Sequence, residues 1–123
     1  MPRLDIYHNF KLLLQVQLSQ DVLSIGRGKD CQVSLNDPEI SRCHALICRN
    51  GETWEVQNQG RNGTRLNGSP VNHPTALNFG DRLYIGRHAV VFQDDAAPAI
   101  KDEALLEAPT GMFQWLDYFA KRG

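Results

Sequence analysis

Apolar and polar residues alternate along Lys11–Leu18. Leu12, Leu14, Val16 and Leu18 fall on one face and Gln15 and Gln17 on the other, the period-2 signature of a strand with one face toward a core. Shorter runs of the same kind follow at Val22–Gly26, His44–Cys48, Thr53–Gln57, Arg82–Gly86 and Ala89–Gln93. Clusters of Gly, Asn, Asp and Pro separate them, at Arg27–Asp30, Asn36–Glu39, Arg49–Glu52, Asn58–Gly63, Asn67–Pro70 and Asn78–Asp81. Many short strands at close spacing predict an all-β sandwich or barrel from about residue 3 to residue 93. The string L-x-I-G-R occurs twice, at Leu23–Arg27 and Leu83–Arg87, and each copy reads as a strand running into a glycine turn.

The pattern changes at Asp94. The stretch DDAAPAIKDE reads as a linker, Glu103–Glu107 as one helical turn, and Pro109, Thr110 and Gly111 as a break. Met112–Arg122 is a short helix candidate, because Met112, Trp115, Leu116 and Phe119 fall at i, i+3, i+4 and i+7. The division expected is a β-domain over 1–95 and a linker plus amphipathic helix over 96–123. The apolar stripe is expected to pack on the sandwich or on a partner, which opens a route to self-association. Thr110 lies between an acidic upstream stretch and apolar Met112 and Phe113, so it reads either as a helix cap or as a phosphorylation site that feeds back on the domain.

Composition narrows the function classes. The chain has 123 residues, 41% hydrophobic and 22% charged, with net charge −1. That suits one soluble domain with one core. There is no basic excess of the kind a general nucleic-acid binder shows, and no stretch approaches the ~20 apolar residues of a membrane helix. Three cysteines (Cys31, Cys43 and Cys48) form no C-x-x-C pair and fit a reducing, cytoplasmic compartment. The charge is unevenly placed. Residues 26–87 carry eight basic and six acidic side chains, and seven of the eight cations are Arg, the residue suited to forked contacts with phosphate oxygens.

Four pieces carry candidate chemistry: Gly26-Arg27, Ser41-Arg42-Cys43-His44, Asn62-Gly63-Thr64 and Asn67-Gly68. Each sits at a predicted strand end, where sandwiches display binding residues. Together they offer guanidinium, hydroxyl and side-chain amide groups, a set able to grip an oxyanion and a peptide backbone. They contain no general base facing a nucleophile, so no enzyme is expected. Gly26–Cys31 lacks the third glycine of a dinucleotide loop and leads to a strand instead of a helix. Cys43 and His44 are neighbours on a predicted strand and point to opposite faces. Cys31, Cys43, Cys48 and His44 have no recognised zinc spacing. Neither cofactor nor metal is expected.

G-R, then S-x-x-H with its Ser fourteen residues after the Arg, then N-G-T-x-x-N-G resembles the signature of the forkhead-associated (FHA) domain family, over roughly Leu23–Gln93. The resemblance implies a β-sandwich of about eleven strands that binds phosphothreonine at the loops of one end. It implies that Arg27 and Ser41 contact the phosphate and that Asn62 holds the peptide backbone. Arg42, Arg61 and Thr64 complete the candidate phosphopeptide-binding set. Gly26, His44, Gly63 and Asn67 would support the loops. Arg61 stands where the family usually has a small hydroxyl residue, which adds a cation. The acidic residue common shortly before this loop is replaced in the run Asn58-Gln59-Gly60. The partners implied are Thr-phosphorylated proteins, such as a Ser/Thr kinase or its substrate. The competing reading is a phosphate-independent interaction module of the same fold that works through the C-terminal helix.

Overall fold

Alternating runs too short to bury themselves singly must stack into sheets. The structure, a computed structural model, describes residues 1–99 and folds them into eleven strands in two sheets. The strands are β1 (Pro2–His8), β2 (Lys11–Gln17), β3 (Val22–Gly26), β4 (Val33–Ser34), β5 (Ala45–Asn50), β6 (Thr53–Asn58), β7 (Thr64–Leu66), β8 (Ser69–Pro70), β9 (Thr75–Leu77), β10 (Arg82–Ile85) and β11 (His88–Asp94). A six-stranded sheet runs in the order β2-β1-β11-β10-β7-β8, and a five-stranded sheet in the order β4-β3-β5-β6-β9. All pairings are antiparallel except β3 with β4. The expected turn at 103–107, Thr110 and the helix at 112–122 lie outside the described residues. Among the described residues no helix is long and apolar enough to cross a membrane.

The core lies between the sheets. Leu4, Ile6, Leu83 and Ile85 from the six-stranded sheet meet Ile25 and Ile47 from the other, all fully buried. The alternation read on Lys11–Leu18 needs one correction. Leu14 pairs with Ile6 and Val16 with Leu4 on the core side, but a bulge between Ile6 and Tyr7 shifts the register. Leu12 therefore pairs with Tyr7 on the opposite face. A bulge inserts one residue and flips every side chain beyond it. Leu12, Leu13 and Leu14 end up 45%, 54% and 37% exposed at a sheet edge.

Two tight hairpins close with both loop residues at positive φ, Asn9-Phe10 between β1 and β2 and Asn67-Gly68 between β7 and β8. Asn62-Gly63 is not such a turn. It lies between β6 and β7, which belong to different sheets, so this loop bridges the two layers at one end of the sandwich. That crossing brings the loop beside residues 27–32 and 35–44.

Candidate functional site

Three connections converge: β3–β4 (27–32), β4–β5 (35–44) and β6–β7 (59–63). Backbone bonds stitch the first two together. Arg27 N–H donates to the Ser41 carbonyl at 2.9 Å, and Gly28 N–H to the Arg42 carbonyl at 3.0 Å. This close approach is why residue 26 is glycine. A Cβ there would stand 2.1 Å from the Arg42 carbonyl oxygen, against backbone that cannot yield. The second Gly-Arg copy grips the same segment from the other sheet. Arg87 N–H donates to Asp37 Oδ2 at 2.9 Å, and Gly86 lies against Ile40.

His44 is the keystone of the third connection. It is fully buried. Its Nδ1 accepts from the Ser41 N–H at 3.0 Å, so Nε2 carries the proton and donates to the Gly63 carbonyl at 2.8 Å. The ring thereby ties the Ser41 segment to the β6–β7 loop. Gly60 packs flat against it, where a Cβ would stand 2.3 Å from the ring. Burial pushes the His44 pKa below its ordinary value of 6.5, with the bond to Gly63 and the Asp37 charge opposing more weakly. The imidazole is a neutral strut with both nitrogens committed.

Around this frame stand the candidate binding groups. Arg27 donates from Nε to the Ile40 carbonyl at 2.9 Å, which fixes the guanidinium at its inner edge. Its Nη groups make no hydrogen bond among the described residues. Ser41 Oγ accepts from the Arg61 N–H at 2.9 Å and keeps its own proton to donate. Asn62 Nδ2 donates to the Glu39 carbonyl at 2.9 Å, which leaves its side-chain oxygen available as an acceptor. Arg27, Arg42, Arg61 and Asn62 are exposed, and Ser41 is half-buried. None of these three arginines is in an ion pair among the described residues. The cluster presents cations with no matching carboxylate, and no group of His, Cys, Asp or Glu among the described residues is arranged to hold a metal.

The structure brings together Gly26, Arg27, Ser41, Arg42, His44, Arg61, Asn62 and Gly63, and it moves two expected residues away. Thr64 is buried, and its hydroxyl donates to Asn58 Oδ1 at 2.8 Å, so it supports the loop and does not face a ligand. It is the first residue of β7, and its β-branched side chain packs inward. Asn67 lies at the far end of β7. It takes φ +54°, donates to Asp81 Oδ1 and accepts from the Arg82 N–H, both at 2.9 Å. It braces the turn before β10, not the binding loops.

Two working residues escaped sequence reasoning. Asn58 stands in the run that lacks the family's acidic residue, yet it performs the organising task. Its Oδ1 accepts from Gly60 N–H and from Thr64, and its Nδ2 donates to the Gly60 carbonyl. Asp37, 3% exposed, accepts from Glu39 N–H through Oδ1 and from Arg87 N–H through Oδ2. Burial works against its charge, but these bonds and the facing His88 and Arg87 outweigh it and hold its pKa below 3.8. The Asp-Pro-Glu turn was the available signal for it. Cys43 is exposed while His44 is buried, so the two do not pair, and all three cysteines are free.

Comparison with known proteins places this arrangement. The FHA domain family matches residues 23–86. An oxoglutarate dehydrogenase inhibitor of Corynebacterium jeikeium is 37% identical over 83 residues, which is 67% of this chain and 57% of that protein. The glycogen accumulation regulator GarA of Mycolicibacterium smegmatis is 37% identical over 76 residues, 61% of this chain and 48% of that protein. The chain thus spans about half the length of these curated relatives. Among solved structures, the FhaA FHA domain complexed with the intracellular domain of Rv3910 superposes with TM-score 0.68 at 28% identity, covering 76% of this chain and all of that one. An FHA domain from work on phosphothreonine-dependent FHA interactions gives TM-score 0.68 at 27% identity, over 80% of this chain and 98% of that one. With the family signature carried on loops that meet as described, the chain belongs to the FHA domain family.

Proposed function

We propose that the loop end built on Arg27 and Ser41 binds a phosphothreonine-bearing segment of a partner protein and catalyses nothing. The observation that carries this reading is the pairing of Arg27, fixed at Nε by the Ile40 carbonyl, with Ser41, whose oxygen accepts from the Arg61 N–H while its own proton is left to donate. Both groups are thereby held as donors. A phosphothreonine brings roughly −1.5 to −2 charges and three acceptor oxygens, which these donors complement. Asn62 supplies an amide for the backbone of an extended peptide. Arg42 and Arg61 add positive charge at the rim, and Arg61 tunes recognition without closing the site. Its main-chain N–H positions Ser41 whatever its side chain does. The regulator and inhibitor names among the relatives and the solved phosphothreonine-dependent interactions support a signalling role. The natural partner is a Ser/Thr kinase or one of its substrates.

The test is calorimetric titration with three matched peptide libraries, carrying phosphothreonine, phosphoserine or threonine at the fixed position. Binding is expected only with phosphate present. Phosphothreonine is expected to lead phosphoserine by about 4-fold, since burying one methyl contributes about 0.8 kcal/mol and the β-branch stiffens χ1. Equal affinity for phosphorylated and unphosphorylated threonine would reject the proposal in favour of a phosphate-independent module.

A further inference from the structure

An exposed arginine or asparagine samples many rotamers, and a side chain that grips a ligand binds more tightly when its direction is already set. Arg27 and Asn62 are both held, and by the same short stretch of chain. Arg27 Nε donates to the Ile40 carbonyl and Asn62 Nδ2 to the Glu39 carbonyl, each at 2.9 Å. Consecutive carbonyls of one turn, Asp37–Ile40, therefore aim both side chains. Pro38 presets φ at the second position of that turn, and the Ile40 N–H closes it on the Asp37 carbonyl at 2.9 Å. The Asp37 side chain fastens the turn from within. Its Oδ1 accepts from the Glu39 N–H and its Oδ2 from the Arg87 N–H of the β10–β11 turn, both at 2.9 Å. His88 Nδ1 stands 3.2 Å from the same Oδ2, and these side chains are 5% and 2% exposed. Gly86 closes the remaining space, since a Cβ there would stand 2.8 Å from Asp37 Oδ2 and 2.6 Å from Ile40 Cγ1. The six-stranded sheet thus reaches the binding groups through one buried carboxylate.

We propose that Asp37 is a positioning residue of the phosphopeptide site: its carboxylate fastens the Asp37–Ile40 turn to the opposite sheet, and the turn's carbonyls at Glu39 and Ile40 set the directions of Asn62 and Arg27. Asp37 does not touch the ligand. This inference rests on the reading of these loops as a phosphothreonine site, and it names the part that holds the gripping groups ready before the ligand arrives. Asparagine cannot take over the task. A carboxylate offers two acceptor oxygens and satisfies both N–H donors, whereas an amide offers one, so one donor would face an NH₂ group. The ion pair of Arg87 with Glu39 is a weaker fastening. Its atoms are 3.7 Å apart and both side chains are more than half exposed, and exposed pairs contribute little. The buried carboxylate, not the surface pair, decides where the turn sits.

The experiment compares the full chain with its Asp37→Asn variant, by calorimetric titration with phosphothreonine peptides and by ¹H–¹⁵N spectra of the free proteins. In the parent, before any peptide is added, the Arg27 Nε–H and Asn62 Nδ2 protons are expected to be protected from exchange with water. In Asp37→Asn that protection is expected to fall, and peptide affinity to drop about three- to tenfold, the scale set by ordering long polar side chains at an interface. The titration is run at a temperature where the main-chain spectrum shows the variant folded. Combined with Asn62→Ala, the loss is expected to be less than the product of the two single losses, because Asp37 acts partly through Asn62, whereas independent sites add in free energy. A merely structural Asp37 would lower the melting midpoint and leave the affinity of the folded protein unchanged, which overturns the proposal. So do fully multiplicative losses. So do Arg27 and Asn62 protons that already exchange freely in the parent, a result that needs no variant to fold. If the parent does not bind phosphothreonine, both this inference and the proposed function fall; if it binds and only the Asp37 comparisons fail, this inference falls alone.

Discussion

Arg27→Ala is expected to weaken binding of phosphothreonine peptides by about ten- to a hundredfold and to leave the sandwich folded. A hydrogen bond to a charged group contributes roughly 1.5–3 kcal/mol, which sets that range. The fold survives because Arg27 is exposed and only one internal side-chain bond, the part-buried one from Nε to the Ile40 carbonyl, is lost. The loop itself is held by main-chain bonds from Arg27 and Gly28 to Ser41 and Arg42, which the substitution keeps. Thermal melts of the two proteins should overlay within the effect of that one part-buried bond. A variant that binds like the parent would remove Arg27 from the site.

His44→Ala is expected to damage both stability and binding. It removes a fully buried ring and strands the Ser41 N–H and the Gly63 carbonyl. Each unsatisfied group costs about 1–3 kcal/mol, and the space left beside Gly60 adds to it. A total near 3 kcal/mol is a large share of the roughly 5–15 kcal/mol that holds a domain together. Denaturant melts measure the loss, and peptide binding should fall even where the variant is mostly folded, because Ser41 and Asn62 lose their shared tie. The same histidine sets a pH dependence. Its folded pKa lies below 6.5, so the unfolded chain takes up a proton first as pH falls. Stability is full above about pH 6.5 and declines from there down to the lowered folded pKa. His88, lowered mainly by burial and then by the stacked His8, against a weaker opposing pull from Asp37, adds in the same direction. Asp37 acts only below its ordinary range near 3.8, outside that window. A melting midpoint that does not move between pH 7.5 and 5.5 would contradict this.

β2, β3, β5, β6, β10 and β11 were legible because their period showed, whereas β1 (Pro2–His8) was not among the strands expected. Val22–Gly26 forms β3 with the expected bounds, the expected Thr53–Gln57 is one residue shorter than β6 at its C-terminal end, and the expected Ala89–Gln93 is one residue shorter than β11 at each end. β4, β7, β8 and β9 have two or three residues each, too few to display a period, and tertiary pairing makes them. Leu12 was assigned to the wrong face because a bulge leaves no mark in the alternation. At the site, the family signature located Arg27, Ser41 and His44 in one place, which spacing alone does not do. Thr64 and Asn67 lie in the same string, but sheet geometry decides where each side chain goes. One turns inward and the other lies three residues along β7 toward the opposite end. Asn58 was missed because its amide does work that the signature assigns to an acid.

The most direct test of the central claim is a ¹H–¹⁵N titration of the full chain with the phosphothreonine peptide library, using the unphosphorylated library as control. The account predicts saturable, phosphate-dependent shifts at the amides of Arg27, Gly28, Ser41, Arg42, Arg61 and Asn62, with none of comparable size along β2 or β9. Shifts that are absent, that appear equally with the unphosphorylated peptides, or that map away from these loops would contradict it.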